Sequence, residues 1–377
     1  MTAANDTFFE QMMDTLILWL GFPGLKKIAW HLSKKFKDVL NGVPGDTGPS
    51  KEERLAQRQR DVLTGFAYFD TFQELEDWLP EHVDPIQRAN TPLLQRPALT
   101  AQKDNVSKTS KIILCHDYNG GYHDYESVRP AGVDTEYYSC EYLQYVDTFI
   151  YFSHKLVCVP PPTWINTLHR NGVKVLGTFM IEPHSPDVHR ILRETDGDFH
   201  VAKQLACMAD TFGFDGWLLN IEKEFPEDTT HFSAGLTNFI ENLKKHAGGD
   251  KQVIWYDALT INNKVEYQNG LTERNLAFAL AAEALFTNYE WTASNVIEAR
   301  RIARENAIDT ESIFFGIDVW AQNTNMSGPP RITYPPEGGG GTNTGVVSQL
   351  SGEAPLRLCG VLVPCRALLM ILKSCEN

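Results

Sequence analysis

Two residues at the end of one apolar run, Asn220 and Glu222, offer the clearest chemistry in this sequence. They close the segment Phe214-Asp-Gly-Trp-Leu-Leu-Asn-Ile-Glu222. Side chains alternate along a β-strand, so residues two apart share a face. A carboxylic acid beside a carboxamide suits hydrolysis of an acetamido sugar. Most glycosidases use two carboxylates, but some use the substrate's own 2-acetamido oxygen as nucleophile. These need one acid and one group that holds the acetamide. Glu222 would serve as the acid, and then as the base that activates water. Asn220 would hydrogen-bond the acetamide nitrogen and stabilise the cyclic oxazolinium intermediate. Tyr256, in the next apolar run, would donate to the acetamide oxygen and fix its direction of attack. The other reading of the same residues is a strand end whose polar side chains cap a loop.

The elements that must position these groups follow a repeated pattern from residue 111 onward. A short apolar run leads to a polar loop and then to a segment of helical periodicity. The apolar runs are Lys111–Asp117, Asp147–Ser153, Val173–Ile181, Phe214–Glu222, Gln252–Thr260, Ala284–Tyr289 and Ser312–Trp320. Helix-like segments include Phe199–Phe212, Ala234–His246, Leu271–Ala282 and Ala293–Asn306. Strands alternating with helices imply right-handed βαβ units and a parallel sheet. Their number and spacing predict an α/β fold, a (β/α)8 TIM barrel, rather than a doubly wound sheet. In such a barrel the reaction takes place at the C-terminal ends of the strands. Each run ends in polar or aromatic residues, among them His116 and Asp117, His154, Glu182, Asn288 and Trp291, and Asp318 and Trp320. Together they predict a polar cleft lined by aromatic rings, which suits sugars.

The chain has 377 residues and a net charge of −14, with a pI near 5.3. An acidic surface argues against nucleic acid and fits a soluble protein acting on a neutral ligand. Seven cysteines, an odd number without a CxxC pair, point to free thiols in a reducing compartment, hence the cytoplasm. No basic stretch precedes the apolar run Leu16–Phe22, so no signal peptide is expected. Residues 1–45 read as an N-terminal helical extension, in which a membrane-surface helix is the minority reading given the lysines from Lys26 to Lys37. Residues 46–110 read as linker and lead-in, with a polar linker from Gly42 to Arg60, and 111–346 as the barrel. Beyond Val347 the composition changes, so 347–377 form an atypical tail and strand eight is missing or replaced. Arg357, Pro364 and Arg366 interrupt the apolar run there, and no membrane span is expected.

The chain resembles glycoside hydrolase family 85, the cytosolic endo-β-N-acetylglucosaminidases, and looks most like the filamentous-fungal branch. The resemblance covers residues 63–346, with the C-terminal part of the family pattern absent, which reads as a truncation. It is carried by Val62-Leu-Thr-Gly-Phe-Ala-Tyr-Phe-Asp-Thr-Phe72, Asp84-Pro-Ile-Gln-Arg-Ala-Asn90, Cys115-His-Asp-Tyr-Asn-Gly-Gly-Tyr122 and Tyr151-Phe-Ser-His154. Leu176-Gly-Thr-Phe179, Phe214–Glu222, Ile254-Trp-Tyr-Asp257 and Phe286-Thr-Asn-Tyr289 complete it. The resemblance implies cleavage of the β-1,4 bond between the two N-acetylglucosamines of the N-glycan core, without metal or cofactor, with transglycosylation as the reverse chemistry. It implies Glu222 as proton donor, Asn220 as the acetamide-orienting residue and Tyr256 as their helper. Glu182 would bind mannose or the −1 sugar, and Trp291 would line the acceptor side. Asn288, His116, Asp318 and Trp320 complete the expected substrate-binding set, whereas Trp164 and Trp217 are expected in the core. The expected partners are N-glycans of glycoproteins or free oligosaccharides, met by a monomer. Two rivals remain: a family-18-like chitinase, which carries Asp where this chain has Asn220, and a glycan-binding pseudoenzyme lacking its last strand.

Overall fold

The strands that carry the site are nearly continuous apolar runs, because both of their faces are covered. The computed structural model describes residues 50–96, 111–117, 121–123, 126–127, 140, 143–229, 231–318 and 360–362. The chain divides into two compact units, Met1–Gln59 and Arg60–Asn377, and the site lies within the second. The expected N-terminal helices at 1–45 lie outside the described residues. The polar linker expected up to Arg60 is corrected: Lys51–Leu63 is a helix with Glu52 and Glu53 in its first turn and Arg60 in its last, charges that favour a helix at those ends.

The fold is mixed α/β. Thirteen strands are described. They are β1 (Ala67–Phe69), β2 (Ile113–His116), β3 (Thr148–Tyr151), β4 (Val157–Val159), β5 (Lys174–Ile181), β6 (Glu194–Thr195) and β7 (Asp198–Phe199). The remainder are β8 (Gly216–Ile221), β9 (Gln252–Tyr256), β10 (Leu285–Phe286), β11 (Ile313–Phe314), β12 (Gly316–Asp318) and β13 (Gly360–Leu362). β6 and β7 form a separate hairpin. The main sheet runs β11-β10-β9-β8-β5-β3-β2-β13-β12, and every pairing along this path is parallel. Its first and last strands, β11 and β12, are separated by Phe315 alone. β13 lies in the tail beyond Val347, where no strand was legible, and pairs with both β2 and β12. The lead-in contributes β1, which pairs antiparallel with β4, itself antiparallel to β5.

Alternation along the strands separates two apolar clusters. Leu176 and Met180 of β5, Leu218 of β8, Ile254 and Tyr256 of β9 and Phe286 of β10 share one of them with Cys115 and Phe314. Phe179, Trp217, Leu219, Ile221 and Trp255 belong to the other, where helices such as His200–Phe212 and Phe232–Ala247 pack with Leu205, Met208, Leu236 and Phe239. The first face is the one that Asn220 and Glu222 continue.

The turn into β8 is built by two glycines and an aspartate. Gly213 ends the helix His200–Phe212 in a left-handed conformation with φ 84°. Asp215 then accepts from the Val175 N–H at 2.8 Å and pairs with His169 at 2.7 Å, fastening the entry of β8 to β5 and to the helix Pro162–Arg170. Gly216 has φ 135°, and a Cβ there would lie 1.9 Å from the Gln252 carbonyl oxygen. Gly216→Ala must therefore push β8 away from β9 and adopt a backbone that L-residues avoid. A loss of about 3 kcal/mol or more in chemical denaturation is expected. Unchanged stability would contradict the close β8–β9 approach.

Candidate active site

Asn220 lies on β8 opposite Met180 of β5. It is 4% exposed, and its Oδ1 accepts no hydrogen bond among the described residues. The assignment of oxygen and nitrogen in an amide follows from its hydrogen-bond surroundings. Leucine on this face would stabilise the fold by about 2 kcal/mol, whereas an unsatisfied buried acceptor costs about 1–3 kcal/mol. Stability alone therefore disfavours Asn220, and its carboxamide is suited to a donor that comes from outside the protein.

Glu222 follows two residues on, just past the end of β8, and is partly exposed. Its N–H is bonded to the Ile181 carbonyl at 2.8 Å, which holds the backbone beside β5. Its Oε2 accepts from the Tyr267 hydroxyl at 3.0 Å. Tyr256 ends β9, is buried, and donates its hydroxyl to Asn288 Oδ1 at 3.0 Å. Burial first, and then the neighbouring Tyr289 and the charge of Glu222, push the Tyr256 phenol well above its ordinary range, so it remains a neutral donor. Asn288 continues the face of Phe286, and its backbone N–H bonds Asp257.

Asp257 is the hub beneath this cluster. It is fully buried and accepts from the N–H groups of Gln268 at 2.9 Å, Asn269 at 2.6 Å and Asn288 at 3.0 Å, and from the Asn275 amide. It thus ties the loop bearing Tyr267 to the residue that bonds Tyr256. Burial raises its pKa from 3.8 to about 6, against those hydrogen bonds. A folded pKa above the unfolded one contributes stability that is complete below pH 3.8 and is lost as pH rises through about 6. Across these roughly two units the change is about 3 kcal/mol. The stability difference between wild type and Asp257→Asn, followed by urea unfolding, should therefore grow in the wild type's favour by about that amount from pH 7 to pH 4. A difference that does not vary with pH would contradict the assignment.

Glu182 extends β5 on the face of Met180, at one side of a small cavity of about 150 Å³ that also touches Asp70, Thr71 and Ser185. Its two oxygens meet His154 Nδ1 at 2.9 Å and His184 Nε2 at 3.3 Å. Asp117 is on the same side of the sheet as Cys115; burial raises its carboxyl, against the pull of His154 and His116.

Two expected site residues, His116 and Trp291, fall elsewhere. His116 has the opposite phase from Cys115 and is fully buried on the helix side, packed against both Phe149 and Trp164, with Nε2 2.9 Å from Glu126. Burial would raise the Glu126 carboxyl, but His116 and Tyr151 hold it below its ordinary value. Trp291 is 1% exposed, donates to the Gly316 carbonyl at 2.6 Å and packs on Phe315, so it is a core residue and cannot line an acceptor surface. Trp320 lies outside the described residues. Asp318 is placed by its backbone only, at the end of β12. Trp217 is in the core as expected, and Trp164 packs against it half-buried.

A second, wider cavity, about 530 Å³, opens elsewhere, among the strand starts Ile113, Thr148, Lys174 and Gln252. None of the groups around Glu222 lines it, and its lysines are largely engaged, as in Lys251 with Asp210 and Lys244 with Glu283. Sequence reasoning missed Tyr267 and the role of Asp257. Tyr267 sits in a polar loop with no periodicity to mark it. Asp257, adjacent to Tyr256, was visible as a polar strand end without a role.

The sequence profile of glycosyl hydrolase family 85 matches residues 122–358. Cytosolic endo-beta-N-acetylglucosaminidase 1 of Arabidopsis thaliana is 35% identical over 289 residues, covering 75% of this chain and 39% of the relative. Cytosolic endo-beta-N-acetylglucosaminidase of Gallus gallus is 32% identical over 281 residues, covering 69% of this chain and 37% of the relative. The chain thus spans under two-fifths of the length of either relative. The glycoside hydrolase domain of Endo-D from Streptococcus pneumoniae R6 superposes with a TM-score of 0.61 at 24% identity, over 80% of this chain and 48% of that one, and so shares its fold.

Proposed function

The chain belongs to glycosyl hydrolase family 85, and from that premise we propose that it is an endo-β-N-acetylglucosaminidase acting on the N-glycan core. The observation that carries this reading is the buried Asn220 oxygen without a donor among the described residues, two residues before a partly exposed carboxylate on the same face. In the reaction, the Glu222 carboxylic proton passes to the glycosidic oxygen between the two N-acetylglucosamines. The 2-acetamido oxygen attacks C1 as that C–O bond breaks. Asn220 Oδ1 accepts the acetamide N–H while positive charge develops on it, which is where a preorganised dipole lowers the barrier. The Glu222 carboxylate then takes a proton from water, whose oxygen opens the oxazolinium at C1. Two inversions give net retention. A sugar hydroxyl in place of water gives transglycosylation.

Tyr256 would turn its hydroxyl from Asn288 toward the acetamide oxygen, with Asn288 and Glu182 binding the sugar chain. We also read the sheet as a (β/α)8 barrel in which β13 serves as the eighth strand, a reading supported by its parallel pairings with β2 and β12. The 347–377 tail would then replace, rather than lack, that strand. Residence in the cytosol and N-glycans as substrates are part of the same proposal, in keeping with the relatives' names. No helix among the described residues is long and apolar enough to cross a membrane.

A chitinase of the family-18 kind would place a second carboxylate at position 220, and the carboxamide there argues against it. The test is to offer chitin oligosaccharides and a high-mannose Asn-glycan side by side, with proton NMR of the fresh product. Release from the glycan alone, with the β-anomer appearing first, is expected. An α-anomer first, or cleavage of chitin alone, would overturn the proposal.

A further inference from the structure

Glu222 lies just past the C-terminal end of β8, and proton transfer needs one of its oxygens held at a fixed place. Among the described residues, the hydrogen bond to its carboxylate comes from Tyr267, whose hydroxyl lies 3.0 Å from Oε2. The loop that presents Tyr267 is fastened on both sides. The Asp257 carboxylate takes the N–H groups of the two residues after it, Gln268 and Asn269. A bridge between Leu259 and Val265 closes the chain before it. Its ring stands edge-on to Tyr256, with centroids 6.5 Å apart, and is 46% exposed. The hydroxyl is thus aimed from the solvent side of the site, by a loop whose anchors do not involve Glu222.

We propose that Tyr267 is a positioning residue for proton transfer: its phenolic O–H holds Oε2 of Glu222 and leaves Oε1 to carry the proton. This rests on Glu222 as the acid and base of the proposed reaction. A phenol suits the task because it donates to Glu222 in both protonation states, to the carboxylate oxygen or to the carbonyl oxygen of the acid. Burial, followed by the charge of Glu222, raises the Tyr267 phenol well above its ordinary range, so it keeps its proton wherever the enzyme works. The bond engages Oε2 and not Oε1, and fixing the acid shortens its search for the reacting geometry.

The experiment compares wild type with Tyr267→Phe and Tyr267→Gln on a fluorescently labelled high-mannose Asn-glycan. Tyr267→Phe should lower kcat about tenfold with KM within twofold, and Tyr267→Gln, which restores an N–H donor, should recover part of that loss. Phe with wild-type kcat, or kcat and KM falling together without rescue by Gln, overturns the proposal. A second arm needs no turnover. With 13Cζ-tyrosine labelling, the Tyr267 resonance should titrate at lower pH in Glu222→Gln than in wild type, because the neighbouring charge is gone. Identical titration overturns the contact itself. Absence of turnover in folded wild type overturns the reaction reading and the proposal with it, whereas turnover with an unaffected Phe variant overturns the proposal alone.

Discussion

Glu222→Gln is expected to lower release of a labelled high-mannose glycan by about 10³-fold while leaving glycan affinity within a few-fold. The amide keeps the size of the side chain and can still accept from Tyr267, so the loop and the binding surface persist. What it loses is the acidic proton that must reach the leaving oxygen, and then the base that must take a proton from water. Both steps of the reaction pass through this one group, because position 220 holds a carboxamide and supplies no second carboxylate. Single-turnover mass analysis of products beside calorimetric binding would separate the two quantities. A variant that retains more than a tenth of wild-type turnover would remove Glu222 from the chemistry.

Asn220→Ala is expected to lower kcat by about 10²–10³-fold, the usual cost of losing one dipole aimed at developing charge. Its effect on stability should be small. Truncation removes an oxygen that has no donor among the described residues, which relieves about 1–3 kcal/mol, and leaves a small void that costs a comparable amount. Activity and melting temperature should therefore separate: a large fall in the first and a shift of no more than a few degrees in the second. A loss of activity that merely follows unfolding would make Asn220 a structural residue. A variant as active as wild type would show that the acetamide is oriented by something else.

The Asn220–Glu222 pair was legible because strand geometry is strict. Period-two alternation fixes the face of both residues once the run Phe214–Ile221 is recognised as a strand, and β8 spans Gly216–Ile221. The same rule places His116 away from the site: Leu114 and His116 share a phase, Leu114 packs toward the helices, and so does His116. Trp291 misled for another reason. An aromatic residue just after a strand end can face a ligand or turn back under the sheet, and only the indole bond to Gly316 decides. Three of the four expected helices matched closely, for example Ala293–Asn306 observed as Ala293–Glu305 and Phe199–Phe212 as His200–Phe212, because their apolar stripes are long, whereas the expected Leu271–Ala282 begins only at Leu276. β1 and β4 were missed because three-residue antiparallel strands carry too few residues to show alternation. β13 was illegible for a different reason: Gly360–Leu362 is flanked by cysteines and a proline, so nothing local marks it, and its pairing partners are distant in sequence. Tyr267 depended on the Asp257 clamp, a long-range hydrogen-bond arrangement with no sequence period.

The most direct test of the central claim is to incubate the purified chain with a fluorescently labelled high-mannose Asn-glycan and weigh the products. The expected result is a free glycan ending in a single N-acetylglucosamine, with the other N-acetylglucosamine left on the asparagine. Intact substrate after prolonged incubation with protein shown to be folded by circular dichroism would contradict it.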